Sequence, residues 1–179
     1  MTVVLETVPT SGAPQVEIWR RGNATPHRFT QQFSLSGDAD CMKKAFMDEL
    51  PVRLFGRTLF LACGETNIIS TQRDSDELTD PFRFMEWLDR AAPHVILNPS
   101  HDYMVRPEMK TKRALFSGRG RVVLSVWNRG YMQSEACDPW LAFFDGNDVT
   151  GVIVEVPMPS TPEVRVGVFD VSKVPASAR

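Results

Sequence analysis

Arg57-Thr58-Leu59-Phe60-Leu61-Ala62-Cys63-Gly64-Glu65-Thr66-Asn67-Ile68-Ile69 sets a short apolar run directly before a thiol, a glycine and a carboxylate. Leu59 to Ala62 has the length and composition of a buried strand. A strand holds the side chain at its tip rigidly, and a glycine beside it lets the backbone turn or approach closely. Backbone N–H groups just past the turn can face a developing oxyanion. Cys63 is therefore a candidate nucleophile. The plainer reading is a buried cysteine that only packs, because unpaired cysteine is among the most buried residue types.

The remaining chain alternates strand and helix signals around this stretch. Val3 to Val8 reads as a strand, closed by the loop Pro9-Thr10-Ser11-Gly12-Ala13-Pro14. Val16-Glu17-Ile18-Trp19 alternates as a half-buried strand does. Residues 24–40 are polar and read as irregular. Ala39 to Leu50 predicts a helix with Met42, Ala45, Phe46 and Leu50 on one face. Residues 68–80 read as a polar connection. Asp80-Pro81 predicts a helix start, with Asp80 as N-cap and Pro81 at the first helical position. His94 to Pro99 is a further strand, and Pro107 opens a basic helix that ends near Gly118. Arg121 to Asn128 is the longest strand candidate, and residues 131–139 read as a loop. Trp140–Phe144 and Gly151–Val156 are expected to pair across the turn at Asp145-Gly146-Asn147-Asp148, with Val164 to Val171 as the last strand. This order predicts an α/β fold with mixed sheets that face each other and helices outside.

Composition narrows the function classes. With 179 residues the expectation is one domain spanning 1–179, in which 1–14 is an N-terminal extension or edge strand. A net charge of −2 gives no reason to expect nucleic acid or an anionic membrane as partner. Cys41, Cys63 and Cys137 are odd in number and widely spaced, which argues against a disulfide framework and for a reducing compartment. The first residues are too soon charged for a signal peptide, and no apolar run has membrane-spanning length, so a cytoplasmic protein is expected. His94, His101 and Asp102 are close in sequence, but an extended strand separates the two histidines, and no metal or cofactor is expected. Lys110, Lys112, Arg113, Arg119 and Arg121 form a basic cluster that is expected to be a solvated helix face. Trp87, Trp127 and Trp140 are expected to pack.

The order of the segments resembles the C-terminal two-thirds of the nitrilase, or carbon–nitrogen hydrolase, superfamily, over about residues 15–175. The matching pieces are Leu59 to Glu65, then Val95-Ile96-Leu97-Asn98-Pro99-Ser100, then Lys112-Arg113-Ala114-Leu115. Val123 to Gly130, Asp145 to Gly151 and Val164 to Asp170 follow in the same order. The resemblance implies an α-β-β-α sandwich, shortened at its N-terminus, and a homo-oligomer. It also implies a hydrolase of small amides or nitriles in which a cysteine forms a covalent intermediate, a glutamate moves the proton and a lysine stabilises the oxyanion. By that resemblance Cys63 is the nucleophile and Gly64 supplies the backbone N–H. Glu65 takes an acidic position two residues on that is not the family's general base, while His101 and Asn128 join Glu65 as pocket candidates. The lysine has no counterpart upstream of Cys63. Gln31 or Gln32 stands in its place, Arg28 is a further candidate, and the family's first glutamate belongs to a region this chain lacks. The expected function is thus a cysteine-dependent carbon–nitrogen hydrolase with an incomplete catalytic set. The alternative is a non-catalytic nitrilase-like binding or assembly protein.

Overall fold

The computed structural model describes residues 2–7, 15–20, 22, 24–35, 37–71, 78–100, 106–126, 139–159 and 166–176. The fold is α/β, with a mixed sheet at its centre. Strands β1 (Thr2–Thr7), β2 (Gln15–Arg20) and β3 (His27–Thr30) form one antiparallel sheet. The larger sheet has six strands in the order β11-β10-β9-β8-β5-β4. They are β4 (Leu54–Phe55), β5 (Thr58–Phe60), β8 (Val95–Leu97), β9 (Val122–Val126), β10 (Trp140–Phe144) and β11 (Asn147–Asp148). Between β5 and β8 lie the small hairpin β6 (Ser70–Thr71) and β7 (Leu78–Thr79) and helix α2 (Phe84–Ala91). Helix α1 (Asp40–Glu49) precedes β4, and α3 (Pro107–Ser117) joins β8 to β9.

The side-chain period of two sorts the large sheet into two faces. Parallel register aligns Leu59 with Ile96 and Ile96 with Val123, and antiparallel register then aligns Val123 with Phe143. This row packs beneath the helices, against Phe46, Leu50, Phe84, Leu88 and Phe116. The neighbouring row, Phe60, Leu97, Leu124 and Ala142, turns to the opposite face. There the first two meet Val16, Ile18 and Phe29 of the three-stranded sheet. The last two meet Val149, Ile153, Phe169 and Val174. Each fully buried apolar side chain of these rows contributes about 1.5–3 kcal/mol relative to exposure.

Several sequence expectations need correction. Residues 27–30, read as irregular, form β3, because Phe29 covers the core while its neighbours face outward. Of the expected apolar face of α1, Phe46 and the C-cap Leu50 are buried, but Met42 and Ala45 are exposed. Helix α2 starts at Phe84 rather than Pro81, yet Asp80 still caps it, accepting from the N–H of Phe84 and Met85 at 2.8 Å each. Residues 68–80 are not wholly irregular, since they contain β6 and β7. Val149 N–H still donates to Ala142 O at 2.8 Å, but the expected strand Gly151–Val156 does not pair with β10. Residues Thr150–Val152 form a 3-10 turn, and β12 (Val154–Val156) pairs instead with β13 (Val166–Val168). Gly167 has the reason written in its surroundings. A Cβ there would meet Ile153 Cγ2 at 2.8 Å and Trp140 at 3.0 Å, so the hairpin lies directly on the end of β10. The basic cluster is only partly a solvated face: Arg119 is exposed and Lys110 half-buried, but Lys112, Arg113 and Arg121 are buried. Trp140 is buried and Trp87 stacks on Phe84, while Trp127 and the 131–138 part of the expected loop lie outside the described residues.

Candidate functional site

Three parallel strands, β5, β8 and β9, end side by side, and the carboxyl edge of such strands is where α/β folds place ligands. The ladder continues past the regular strands. Leu61 N–H donates to Leu97 O, Asn98 N–H to Leu124 O, and Ser100 N–H to Val126 O, at 2.8–2.9 Å. Cys63 follows β5 and Ser100 follows β8, so the extended ladder brings them together. Their Sγ and Oγ are 3.4 Å apart, and Cys63 keeps 8% exposure. Cys63 opens a 3-10 helix, Cys63–Ile68, so the chain does turn at the thiol as the sequence suggests.

A buried polar frame sits under this edge. Asn98 donates to Leu61 O at 3.0 Å and to Ala62 O at 3.4 Å, and so fixes the two carbonyls before the thiol. Its Oδ1 accepts from Arg113 Nη2 at 3.0 Å and from Ser125 Oγ at 3.4 Å. Arg113 also donates to Ser125 Oγ at 2.7 Å and to Met109 O at 3.1 Å. Burial pulls the Arg113 pKa down to about 10, while negative charge at Cys63 would support the guanidinium and Arg106 opposes it. The frame thus ties α3, β8 and β9 to the segment that carries the thiol.

Gly64 is packed on its open side. A Cβ at this position would collide with the backbone of Ser34 and stand 2.7 Å from Gln31 Nε2. Only glycine admits that approach, so the glycine next to the thiol serves the close passage of residues 31–34. Gln31, one of the two residues in the place of the family's lysine, donates to Phe33 O at 2.8 Å and rests against Gly64. Gln32 faces elsewhere: its Nε2 donates to Glu49 and its N–H to Glu65, at 2.9 and 2.8 Å. Asn67, on the same 3-10 helix, donates to Ser34 O at 2.7 Å and accepts from Lys112 Nζ at 2.5 Å.

Glu65 is turned inward. Its carboxylate accepts from Arg53 Nη1 at 2.6 Å, Ala62 N–H at 2.7 Å and Gln32 N–H at 2.8 Å. Burial pushes its pKa up, against the pull of Arg53 and the two backbone donors. Arg53 is fully buried, also bonds Glu49 and Thr30 O, and lies 4.6 Å from the centre of the Phe29 ring and 5.0 Å from that of Phe46. This clamp joins β3, α1 and the turn after β5. Arg28, the further candidate for the lysine's place, is exposed and paired with Glu17 at 2.8 Å. His101 and Asn128 lie outside the described residues, as do Asp102 and Cys137.

The sequence reading overlooked Arg53, Asn98, Lys112 and Arg113 as parts of the site. Asn98 carried a usable signal, because a polar residue just past a parallel strand sits where the thiol sits on the neighbouring strand. Arg53 carried only the i,i+4 spacing from Glu49, and nothing local pointed to Glu65, twelve positions away. Among the described residues, no helix is long and apolar enough to cross a membrane. No family model, no curated protein and no solved structure matches the chain.

Proposed function

We propose that the chain is a carbon–nitrogen hydrolase of nitrilase-like α-β-β-α design that acts on a small amide or nitrile through Cys63. The observation that supports this most is the place of the thiol: at the carboxyl edge of parallel strands, beside the Ser100 hydroxyl, on the Asn98–Arg113–Ser125 frame. With an amide, sulfur would attack the carbonyl carbon, a C–S bond would form, and the C–N bond would break as ammonia or an amine leaves. The thiol proton would pass to the departing nitrogen, with Ser100 Oγ, 3.4 Å from the sulfur, placed for a relay. Water would then cleave the thioester and restore the thiol.

A second reading has its own support. Glu65, the carboxylate nearest the thiol in sequence, is committed to Arg53, and neutral glutamines stand in the place of the lysine. Those features favour a nitrilase-like binding or assembly protein without turnover. Ammonia release from a panel of small amides and nitriles separates the two. The hydrolase reading expects turnover that disappears in Cys63→Ala; no turnover with any substrate favours the second, and turnover that survives the change removes Cys63 as the reacting group. A homo-oligomer in the cytoplasm belongs to either reading, and light scattering that returns a monomer removes the oligomer from both.

A further inference from the structure

Four of the five buried cations among the described residues invite comparison. Arg53 holds Glu65 at 2.6 Å and Arg121 holds Asp89 at 2.9 Å. Lys112 and Arg113 are as deeply buried, at 4% and 1% exposure, yet among the described residues neither has a carboxylate within ion-pair distance. Their partners are neutral oxygens: Asn67 Oδ1 for Lys112, and Asn98 Oδ1, Ser125 Oγ and Met109 O for Arg113. An ammonium has three donors, and Asn67 takes one. Burying a charge without a counter-charge is expensive, and such groups gather at functional sites.

We propose that the Cys63 site takes a substrate that carries its own negative charge, such as a carboxylate a few bonds from the amide or nitrile, and that Lys112 binds that charge. This rests on the reading of Cys63 as the reacting thiol. Lys112 reaches the site through Asn67, four residues past Cys63 on the same 3-10 helix. A rise of about 2 Å per residue puts roughly 8 Å between the thiol's place on that helix and Asn67's. A small amide with a terminal carboxylate spans such a gap. The surrounding charges are lopsided. Arg106 and Arg113 press on the Lys112 ammonium, and among the described residues only Glu108 supports it while also lying 3.6 Å from Arg106. Asn67, the partner on the facing element, is neutral. A bound carboxylate would supply the missing counter-charge.

Two alkylating reagents of nearly equal size test this: iodoacetate, an anion, and iodoacetamide, neutral. Peptide mapping at pH 7 gives the rate ratio of the two at Cys63, with exposed Cys41 as the internal reference. The expected ratio favours iodoacetate at Cys63 by about tenfold over Cys41, the order of one unit-charge attraction at this range after salt screening. Lys112→Gln should remove most of that factor. Equal ratios at the two thiols overturn the proposal and leave the thiol reading intact. If Cys63 takes up neither reagent, the hydrolase reading falls, and calorimetry on Cys63→Ala decides the charge question. Succinamate should then bind at least tenfold tighter than succinamide, with the difference lost on adding Lys112→Gln; equal binding, or none, overturns the proposal.

Discussion

At the scale of single residues, two buried cations do opposite work. Arg53 balances Glu65, so Arg53→Met strands a carboxylate in the core and should cost about 3–5 kcal/mol in urea unfolding. Lys112 has no ion pair among the described residues, so Lys112→Met should leave stability unchanged or raise it. Burial pulls the Lys112 pKa down to about 8, below its ordinary 10.5. Between those values the unfolded chain binds the proton and the folded chain does not, so stability due to this group rises with pH across that window. Below it, both states carry the charge and the penalty is constant. The melting temperature of the wild type should therefore gain on that of Lys112→Met from pH 8 to 10, and parallel profiles would contradict the assignment. Gly64→Ala forces a Cβ into the Ser34 backbone and should cost about 1–3 kcal/mol, read as a lower urea midpoint with an unchanged slope.

At the scale of elements, what the sequence revealed depended on how local each signal was. Helix α3 was legible from Pro107 to Gly118 because a proline opens it and a glycine follows it. Strand β5 was legible because it is buried on both faces, which leaves a continuous apolar run. Strand β3 was not, since only Phe29 of its four residues is buried and no alternation could show. The C-terminal pairing was misread for a different reason. Turn residues at 145–148 announce a hairpin, but the next apolar run pairs with β13, a choice made by packing on Trp140 rather than by the turn. Helix α2 shows the limit from the other side: Asp80 does accept from its first N–H groups, but the N-cap position is Arg83 and the first helical residue is Phe84. Asp80→Ala should cost about 1 kcal/mol, because two N–H groups at the start of α2 lose their acceptor. Amide exchange at Phe84 and Met85 should quicken with it; unchanged exchange would show that Asp80 does not cap the helix.

At the scale of the whole molecule, the extended parallel ladder does what no single motif could. It brings Cys63 and Ser100, 37 positions apart, to 3.4 Å, and sets both on a frame anchored by α3. The thiol was legible as a strand-tip residue from its own thirteen-residue stretch. Ser100 and Arg113 were not, because they join it only through sheet order, and Asn98 was marked only as a polar residue just past a strand. The same holds for charge: the basic cluster read as a solvated face, while the fold buries Lys112 and Arg113 without a described counter-ion at the edge where the thiol stands. Solvation was the sound expectation for a lysine-rich helix, and only its docking on β9 and β10 reverses it.

The central claim is that Cys63 reacts with carbon–nitrogen substrates. Rapid acid quench after mixing with a small amide or nitrile, followed by intact-protein and peptide mass spectrometry, reads it directly. The account expects a mass gain equal to the acyl or thioimidate group, on the peptide that contains Cys63 and on no other cysteine, and none in Cys63→Ala. An unmodified Cys63 peptide under conditions where the substrate is consumed would contradict it.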